Sequence, residues 1–329
     1  MRVKAVALIS GGLDSALSAR MIKDQGVEVV GLYMLHGFEA RRGPGNARRV
    51  AEEVGIPLEV VDIREEFLRV VLFPEHGYGA NANPCIDCKI LMLRKAWERG
   101  SELGAKFIVT GEVVGQRPMT QRLPTMRMIE KKAGVEGLVL RPLSAKLLPP
   151  SIPEREGWVR REEMLAIRGR GRKAQLELAR KLGITSFSTP AGGCLLTDEN
   201  FARRVFDLLE HKPRGEITTD DFRLLRLGRH FRLSPKFKLI VARDRAESRE
   251  LLERRHLGWL FVAVEAPGPI GLGLGEPSGE EVEVAARIVA RYCDTRGRSR
   301  VKVRWEREGK EGEVEVEPAD YHFVEGRRI

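Results

Sequence analysis

AVALISGGLDSALSARMIKDQG, residues 5–26, passes from a short apolar run through a turn of serine, glycine and aspartate into a stretch of helical composition closed by a glycine. The apolar run is short enough for one strand, and ALSARMIKDQG has the pattern of a helix. The turn between them decides the fold. A strand that enters a helix this way exposes the unpaired N–H groups of the first helical turn and the positive end of the helix dipole, so it attracts phosphate. Gly11 and Gly12 let the backbone close around an anion without a Cβ in the way. Ser10 and Ser15 add hydroxyl donors, and Asp14 suits either ordering the loop or holding a magnesium ion that bridges phosphates. No lysine follows at Walker-loop spacing, so this is a different phosphate turn. A capped helix start with incidental serines fits the same residues.

Outward from the turn, VEVVGLY (27–33) is a second β-branched run, and ARRVAEEVGIPLEVVDI (47–63) repeats helix, glycine turn and strand. KILMLRKAWERGSELGAKFIVTGE (89–112) places Leu91, Leu93, Ala96 and Trp97 at helical spacing, stops at Gly104 and supplies another strand. This βαβ rhythm predicts an α/β fold, a parallel sheet with helices on both faces. From LRPLSAK (140–146) the chain becomes proline-rich, then basic: residues 160–181 carry eight Lys or Arg against three Glu, in a pattern read as helical. TPAGGCLLTDENFARRVFDLLEH (189–211) reads as a glycine loop followed by a helix. After residue 229 the rhythm changes to a smaller α+β module: KFKLIVARD and GWLFVAVEA as strands, EEVEVAARIVARYCD as a helix, and VKVRWERE and EVEVEP as a hairpin turning at GKEG. The expected division is a catalytic domain over 1–185, a cysteine-bearing connector over 186–228, and the module over 229–329.

The chain of 329 residues has room for two domains, and at 42% hydrophobic and 32% charged it is globular rather than disordered. No apolar run approaches the ~20 residues needed to cross a bilayer, and the N-terminus lacks the pattern of a secretory signal, so a cytoplasmic protein is expected. Its net charge of +10 favours a polyanionic partner, though an Arg- and Glu-rich surface has the same effect on composition.

Four cysteines are too few for a disulfide framework in a chain of this size. In NPCIDCK (83–89), Cys85 and Cys88 are three apart, a spacing that lets both sulfurs face one metal or form one disulfide. Cys194, in PAGGCLLTD, is distant in sequence but lies on a loop able to approach closely. Three thiolates fit a structural zinc site poorly, since that normally takes four protein ligands; on a 4Fe-4S cluster they would leave one iron free for a foreign ligand such as sulfide. A redox or persulfide pair, and simple burial, remain open readings of the same three residues. Cys293 shares a helical face with Ala285, Ala286 and Val289 and reads as a core residue.

SGGLDS resembles the SGGxDS signature of the PP-loop ATP pyrophosphatases, which use ATP to adenylate a carbonyl oxygen and release pyrophosphate. The resemblance implies that Ser10, Gly11, Gly12, Asp14 and Ser15 hold pyrophosphate, that the backbone around Met34 contacts adenine, and that Thr110 and Gly111 border the nucleotide. NPCIDCK resembles the PNPCxxCN segment of the tRNA 2-thiouridine synthetases, with Lys89 where those enzymes have asparagine, and LRPL is similar to a segment of the 4-thiouridine synthetases. This implies sulfur transfer through Cys85 and Cys194, by a 4Fe-4S cluster or a persulfide relay, with Asp14 as the third catalytic residue and Cys88 as the third ligand in the cluster version. The module after residue 229 resembles the RNA-binding domain of NFACT-type proteins, with oligomerisation, as a homodimer, the alternative role. Arg296, Arg298, Arg300 and Lys302 suit phosphate contacts, and Arg117, Arg122 and Arg127 lie near the expected site. The expectation is an ATP-dependent tRNA thiouridine synthase using Mg2+ and a 4Fe-4S cluster, taking tRNA and a sulfur donor, with the modified base left open; the alternatives are a PP-loop adenylating enzyme acting on a small molecule and a non-catalytic RNA-binding factor.

Overall fold

Strand β1 (Lys4–Leu8) has its three central residues fully buried, as befits the middle of a parallel sheet covered on both faces. It leads into helix α1 (Leu13–Asp24), β2 (Glu28–Leu35), α2 (Gly45–Val54), β3 (Leu58–Asp62), α3 (Arg64–Leu72), α4 (Cys85–Glu102), β4 (Phe107–Val109), α5 (Leu123–Ala133), β5 (Val139–Leu140), α6 (Ile152–Arg155) and α7 (Lys173–Leu182). The computed structural model describes residues 3–39, 43–187 and 193–329, and the chain divides into two units, Met1–Asp198 and Glu199–Ile329. In the first, five strands pair in the order β3-β2-β1-β4-β5, every neighbour parallel. Strand order reverses at β1, so the crevice outside the carboxyl ends of β1 and β4 is where such a sheet accepts a ligand. The turn at residues 10–15 sits there. Apolar side chains of β1, β2, α1, α2, β4 and α7 make one continuous core beneath it.

Two local readings change. The basic stretch, apart from a single 3-10 turn at Arg161–Glu163, is α-helical only over Lys173–Leu182. Ahead of it Gly169 takes φ +80°, its N–H donates to the Val114 carbonyl at 2.8 Å, and Arg168 bridges Val114, so the chain is drawn along the loop after β4 instead of coiling. The segment expected as a connector over 186–228 is shared out, the Cys194 turn belonging to the first unit and the helices after it to the second. Ala191 and Gly192 of the glycine loop lie outside the described residues.

The second unit contains α8 (Glu199–His211), α9 (Thr219–Leu225), β6 (Arg229–Ser234), β7 (Phe237–Val241), α10 (Arg245–Glu253), β8 (Trp259–Ala263), β9 (Gly271–Gly275), α11 (Gly279–Arg291), β10 (Val301–Arg307), β11 (Lys310–Val316) and α12 (Tyr321–Glu325). Its six strands form one antiparallel sheet, β11-β10-β8-β9-β7-β6, packed on α11. The hairpin turns at Glu308 and Gly309, both at positive φ (48° and 82°), two residues before the centre of GKEG. Cys293 lies at the end of α11 with its sulfur against Gly268 and its S–H donating to the Val289 carbonyl at 3.3 Å. Burial raises this thiol to about 11. Among the described residues no helix is long and apolar enough to cross a membrane.

Candidate functional site

Helix α1 starts at Gly12, with no side-chain cap, so the N–H groups of its first turn are left for a ligand. Gly11 takes φ +78°, a conformation that admits glycine without strain. The turn is internally bonded: Ser15 Oγ donates to the Gly12 carbonyl at 2.8 Å, the Gly12 N–H donates to Ser10 Oγ at 3.3 Å, and the Ser10 N–H donates to Ser15 Oγ at 3.3 Å. The start of α2 presses on it, with Asn46 Nδ2 donating to the Gly11 carbonyl. From the other side comes the end of β4. A Cβ on Gly111 would stand 2.5 Å from the Asp14 carbonyl carbon and the Ser15 nitrogen, so only glycine lets the two backbones meet. Thr110 is buried, its N–H donating to the Leu140 carbonyl at 3.0 Å. Met34 lies inside β2, paired with Val61 of β3, with its side chain buried.

Asp14 has one carboxylate oxygen engaged, accepting from Gln116 Nε2 at 3.0 Å, while Oδ1 is buried without a hydrogen-bond partner among the described residues. A buried carboxylate oxygen left unpaired is costly, and a bound cation would relieve it. The residues at the turn thus fit a magnesium nucleotide.

The two cysteine segments are joined by main-chain bonds. Cys85 and Cys88 lie in the first turn of α4, and the Cys194 segment is stitched by its backbone to two places. The Leu195 N–H donates to the Phe38 carbonyl at 2.8 Å, beyond β2, and the Ala82 N–H donates to the Leu196 carbonyl at 3.1 Å, just ahead of α4. Asn81 Nδ2 adds a bond to the Thr197 carbonyl at 2.8 Å, and Cys194 bridges Glu39. Upstream, Glu53 of α2 accepts the N–H and hydroxyl of Thr185 and the N–H of Ser186. Burial works against the Glu53 charge, but those donors outweigh it and hold its carboxyl below the usual range.

Burial pushes the Cys88 thiol up to about 12, reinforced by the charges of Cys194 and Cys85 and opposed by Lys89 and Arg117. Burial likewise raises Cys194 to about 11 and raises Cys85, and Arg117 opposes the shift at both. The three thiols therefore share one electrostatic neighbourhood, each within reach of the exposed Arg117. Among the described residues their sulfurs are not gathered within 4.8 Å of one another as donors to a single ion would be. Three partly buried thiols from two segments, spaced more widely than donors to a single ion, are the donor type that a cluster takes, one on each of several metal atoms.

The sequence reading missed what anchors this corner. Glu112, the residue after Thr110 and Gly111, is 5% exposed, and Arg141 of the LRPL segment is 4% exposed. Arg141 Nε reaches Glu112 at 3.0 Å and its Nη1 pairs with Glu130, while Lys89 Nζ stands 3.5 Å from Glu112. Burial opposes the Glu112 charge, yet Lys89 and Arg141 prevail and hold its carboxyl low. Lys89 thus ties the cysteine helix to the segment that follows β4. Asp87, between the two cysteines, accepts the His76 N–H at 2.9 Å and faces His76 Nδ1 at 2.6 Å, fixing the segment that leads into α4. A glutamate following Thr-Gly was the visible signal for the first network; nothing in the spacing announced the second. Arg122 and Arg127, at the start and on the outer side of α5, are exposed.

Residues 3–132 match the family described as the tRNA methyl transferase HUP domain, and residues 228–325 match the NFACT protein RNA binding domain. The tRNA-specific 2-thiouridylase of Geobacter metallireducens is 38% identical over 133 residues, covering 33% of this chain and 35% of that protein. Its counterpart from Deinococcus radiodurans is 32% identical over 126 residues, covering 34% and 33%. The chain spans about a third of the length of these curated relatives. A solved 4-thiouridine synthetase–RNA complex with bound ATP aligns over 68% of this chain and 52% of that one, at 19% identity and a TM-score of 0.40, a loose likeness.

Proposed function

We propose that this chain, whose first unit is a PP-loop HUP domain of the thiouridylase-like group and whose second carries an NFACT-type module, is an ATP-dependent tRNA sulfurtransferase. The reading rests on one observation: backbone bonds from Leu195 to Phe38 and from Ala82 to Leu196 bring Cys194 to the Cys85–Cys88 helix, at the same sheet edge as the phosphate turn. Residues 10–15 would hold the phosphates of ATP, and Asp14 would hold the magnesium ion that offsets their charge. The uridine carbonyl oxygen attacks the α-phosphorus, a P–O bond forms, and the bond to pyrophosphate breaks. The N–H groups at the start of α1 offset the charge that gathers on the departing pyrophosphate. A sulfur nucleophile then adds to the activated carbon, and the carbon–oxygen bond breaks with AMP carrying the oxygen away.

Cys85, Cys88 and Cys194 would hold a 4Fe-4S cluster, whose chemistry would be to present sulfide. Burial raises the Cys88 and Cys194 thiols to about 12 and about 11 even with Arg117 nearby, which favours the neutral form and makes thiols alone weak candidates for the attack. Arg117, pinned next to Gln116 and so to Asp14, supplies a cation between the two halves of the reaction. A stacked uridine has to leave its helix to reach this edge.

The test is to incubate the anaerobically prepared protein with ATP, sulfide and unmodified tRNA, then to measure pyrophosphate and the thionucleosides of a digest. Pyrophosphate release that requires tRNA, with one new thionucleoside, is expected. Release driven by a small carbonyl compound and indifferent to tRNA would make the chain an adenylating enzyme of small molecules instead.

A further inference from the structure

The basic run between α11 and the hairpin, expected to meet phosphate, is largely engaged. Arg296 pairs with Asp294, Arg298 with Glu265, and Lys302 with Glu313, while Arg300 donates to the Glu315 carbonyl. A different set of arginines is held by aromatic rings, and one of them, Arg287, also favours the charge of the Asp320 carboxylate. Arg327 lies over the Phe323 ring at 3.8 Å with Arg287 over the same ring at 5.1 Å, Arg291 lies over Tyr321 at 5.9 Å, and Arg229 over Tyr292 at 4.5 Å. Among the described residues none of these four forms an ion pair. Each of three spends one N–H on a main-chain oxygen: Arg291 on Ala319 at 2.9 Å, Arg327 on Phe323 at 3.1 Å, and Arg229 on Ala242 at 3.2 Å. A guanidinium has five N–H donors, so several remain, on side chains whose conformations are already fixed by a ring and a carbonyl. Such fixation removes much of the entropy cost of gripping a phosphate.

The chain end packs against both β6 and α11, the elements that carry Arg229, Arg287 and Arg291. The Arg232 N–H donates to the Arg327 carbonyl and the Ile329 N–H to the His230 carbonyl, laying the last residues along β6, while Ala319 is bonded to Arg287 of α11. In this chain end Tyr321 is 59% exposed, its ring in edge contact with His322 at 5.6 Å. An exposed aromatic ring beside unpaired arginines is the chemistry of single-stranded nucleic acid: the ring stacks a base and the cations take the flanking phosphates.

We infer that the face made by Arg229, Arg287, Arg291, Arg327 and Tyr321 binds an unpaired RNA segment, with a base on Tyr321. This rests on the reading of the whole chain as an RNA-modifying protein, and it moves the contact away from residues 296–302. Fluorescence anisotropy of the full chain with a labelled single-stranded oligoribonucleotide, and with the same sequence as a duplex, tests it.

Tyr321→Ala is expected to weaken single-strand binding about tenfold, while Tyr321→Phe, which keeps the stacking face, leaves it unchanged. The pair Arg287→Gln and Arg291→Gln is expected to lower the slope of log affinity against log salt by roughly 0.7 for each phosphate no longer neutralised, whereas Arg291→Lys keeps most of the binding. Arg298→Gln with Arg300→Gln serves as the matched control, with little effect. Because the arginines also pack on the rings, the Tyr321→Phe and Arg291→Lys variants separate weakened RNA binding from a failure to fold. Tighter binding of duplex than single strand, or weakening by the 298/300 control but not by the face variants, overturns the assignment while leaving an RNA substrate standing. Wild-type protein that binds no RNA of either form would remove the reading of the whole chain as well.

Discussion

The phosphate turn and the cysteine corner lie at one edge of one sheet but are built on different physics. The turn is made of main chain and held by shape: Gly11 at positive φ, Gly111 against the Asp14 backbone, and short bonds among Ser10, Gly12 and Ser15. The corner is made of side chains from three distant segments and held by buried charge and by stitches between loops. A turn of the first kind is complete as soon as its strand and helix pack. A corner of the second kind depends on partners: its carboxylates on Arg141 and Lys89, its thiols on whatever takes their protons.

Removing the central cation should therefore have the largest effect. Arg141→Met leaves buried Glu112 with Lys89 alone and takes the guanidinium from Glu130, and is expected to cost about 3–5 kcal/mol in chemical denaturation. A loss below ~1 kcal/mol would show that the corner does not rely on that charge. Next comes the thiols' reluctance to ionise. With Cys194 raised to about 11 from an ordinary 9.0, its alkylation by iodoacetamide in the metal-free chain should run ~100-fold slower at pH 7 than that of an ordinary thiol and rise about tenfold per pH unit up to pH ~11. Fast, pH-independent labelling would place the thiol in a polar setting instead.

The turn should answer to size rather than charge. Gly111→Ala drives a methyl into the main chain of Asp14 and Ser15 and is expected to cost about 2 kcal/mol, with loss of ATP-dependent pyrophosphate release. The smallest effect belongs to Asn46→Ala, which removes one bond to the Gly11 carbonyl. About 1 kcal/mol is expected, read from the same denaturation curves.

The same contrast explains what could be read in the sequence. SGGLDS is contiguous and follows an apolar strand, so its turn, its sheet and the parallel order around it were all open to pattern reading. The pairing of Lys89 with Glu112, 23 positions on, and of Glu112 with Arg141 depends on how β4, α4 and the LRPL segment pack, and no local spacing carries that. Glycine obscured two further elements. In β9, Gly271 faces Val289, and Gly273 faces the rings of Phe237 and Phe261, so one face of the strand has glycines where its neighbours need room, and only Leu272 and Leu274 on the other face carry the alternation of a strand. In the basic stretch, Gly169 and the bridge from Arg168 to Val114 override a composition that suits a helix. Charge was misleading in its own way, because Arg296, Arg298 and Lys302 look available in one dimension and are matched to Asp294, Glu265 and Glu313 in three.

That the turn and the corner serve one reaction is tested most directly by Cys194→Ala, assayed with tRNA, ATP and sulfide, with pyrophosphate and thionucleoside followed in the same samples. Pyrophosphate release at close to the wild-type rate, with thionucleoside reduced at least 100-fold, is the expected result. Undiminished thionucleoside would mean that sulfur reaches the base without this cysteine, and that the two halves of the sheet edge work independently.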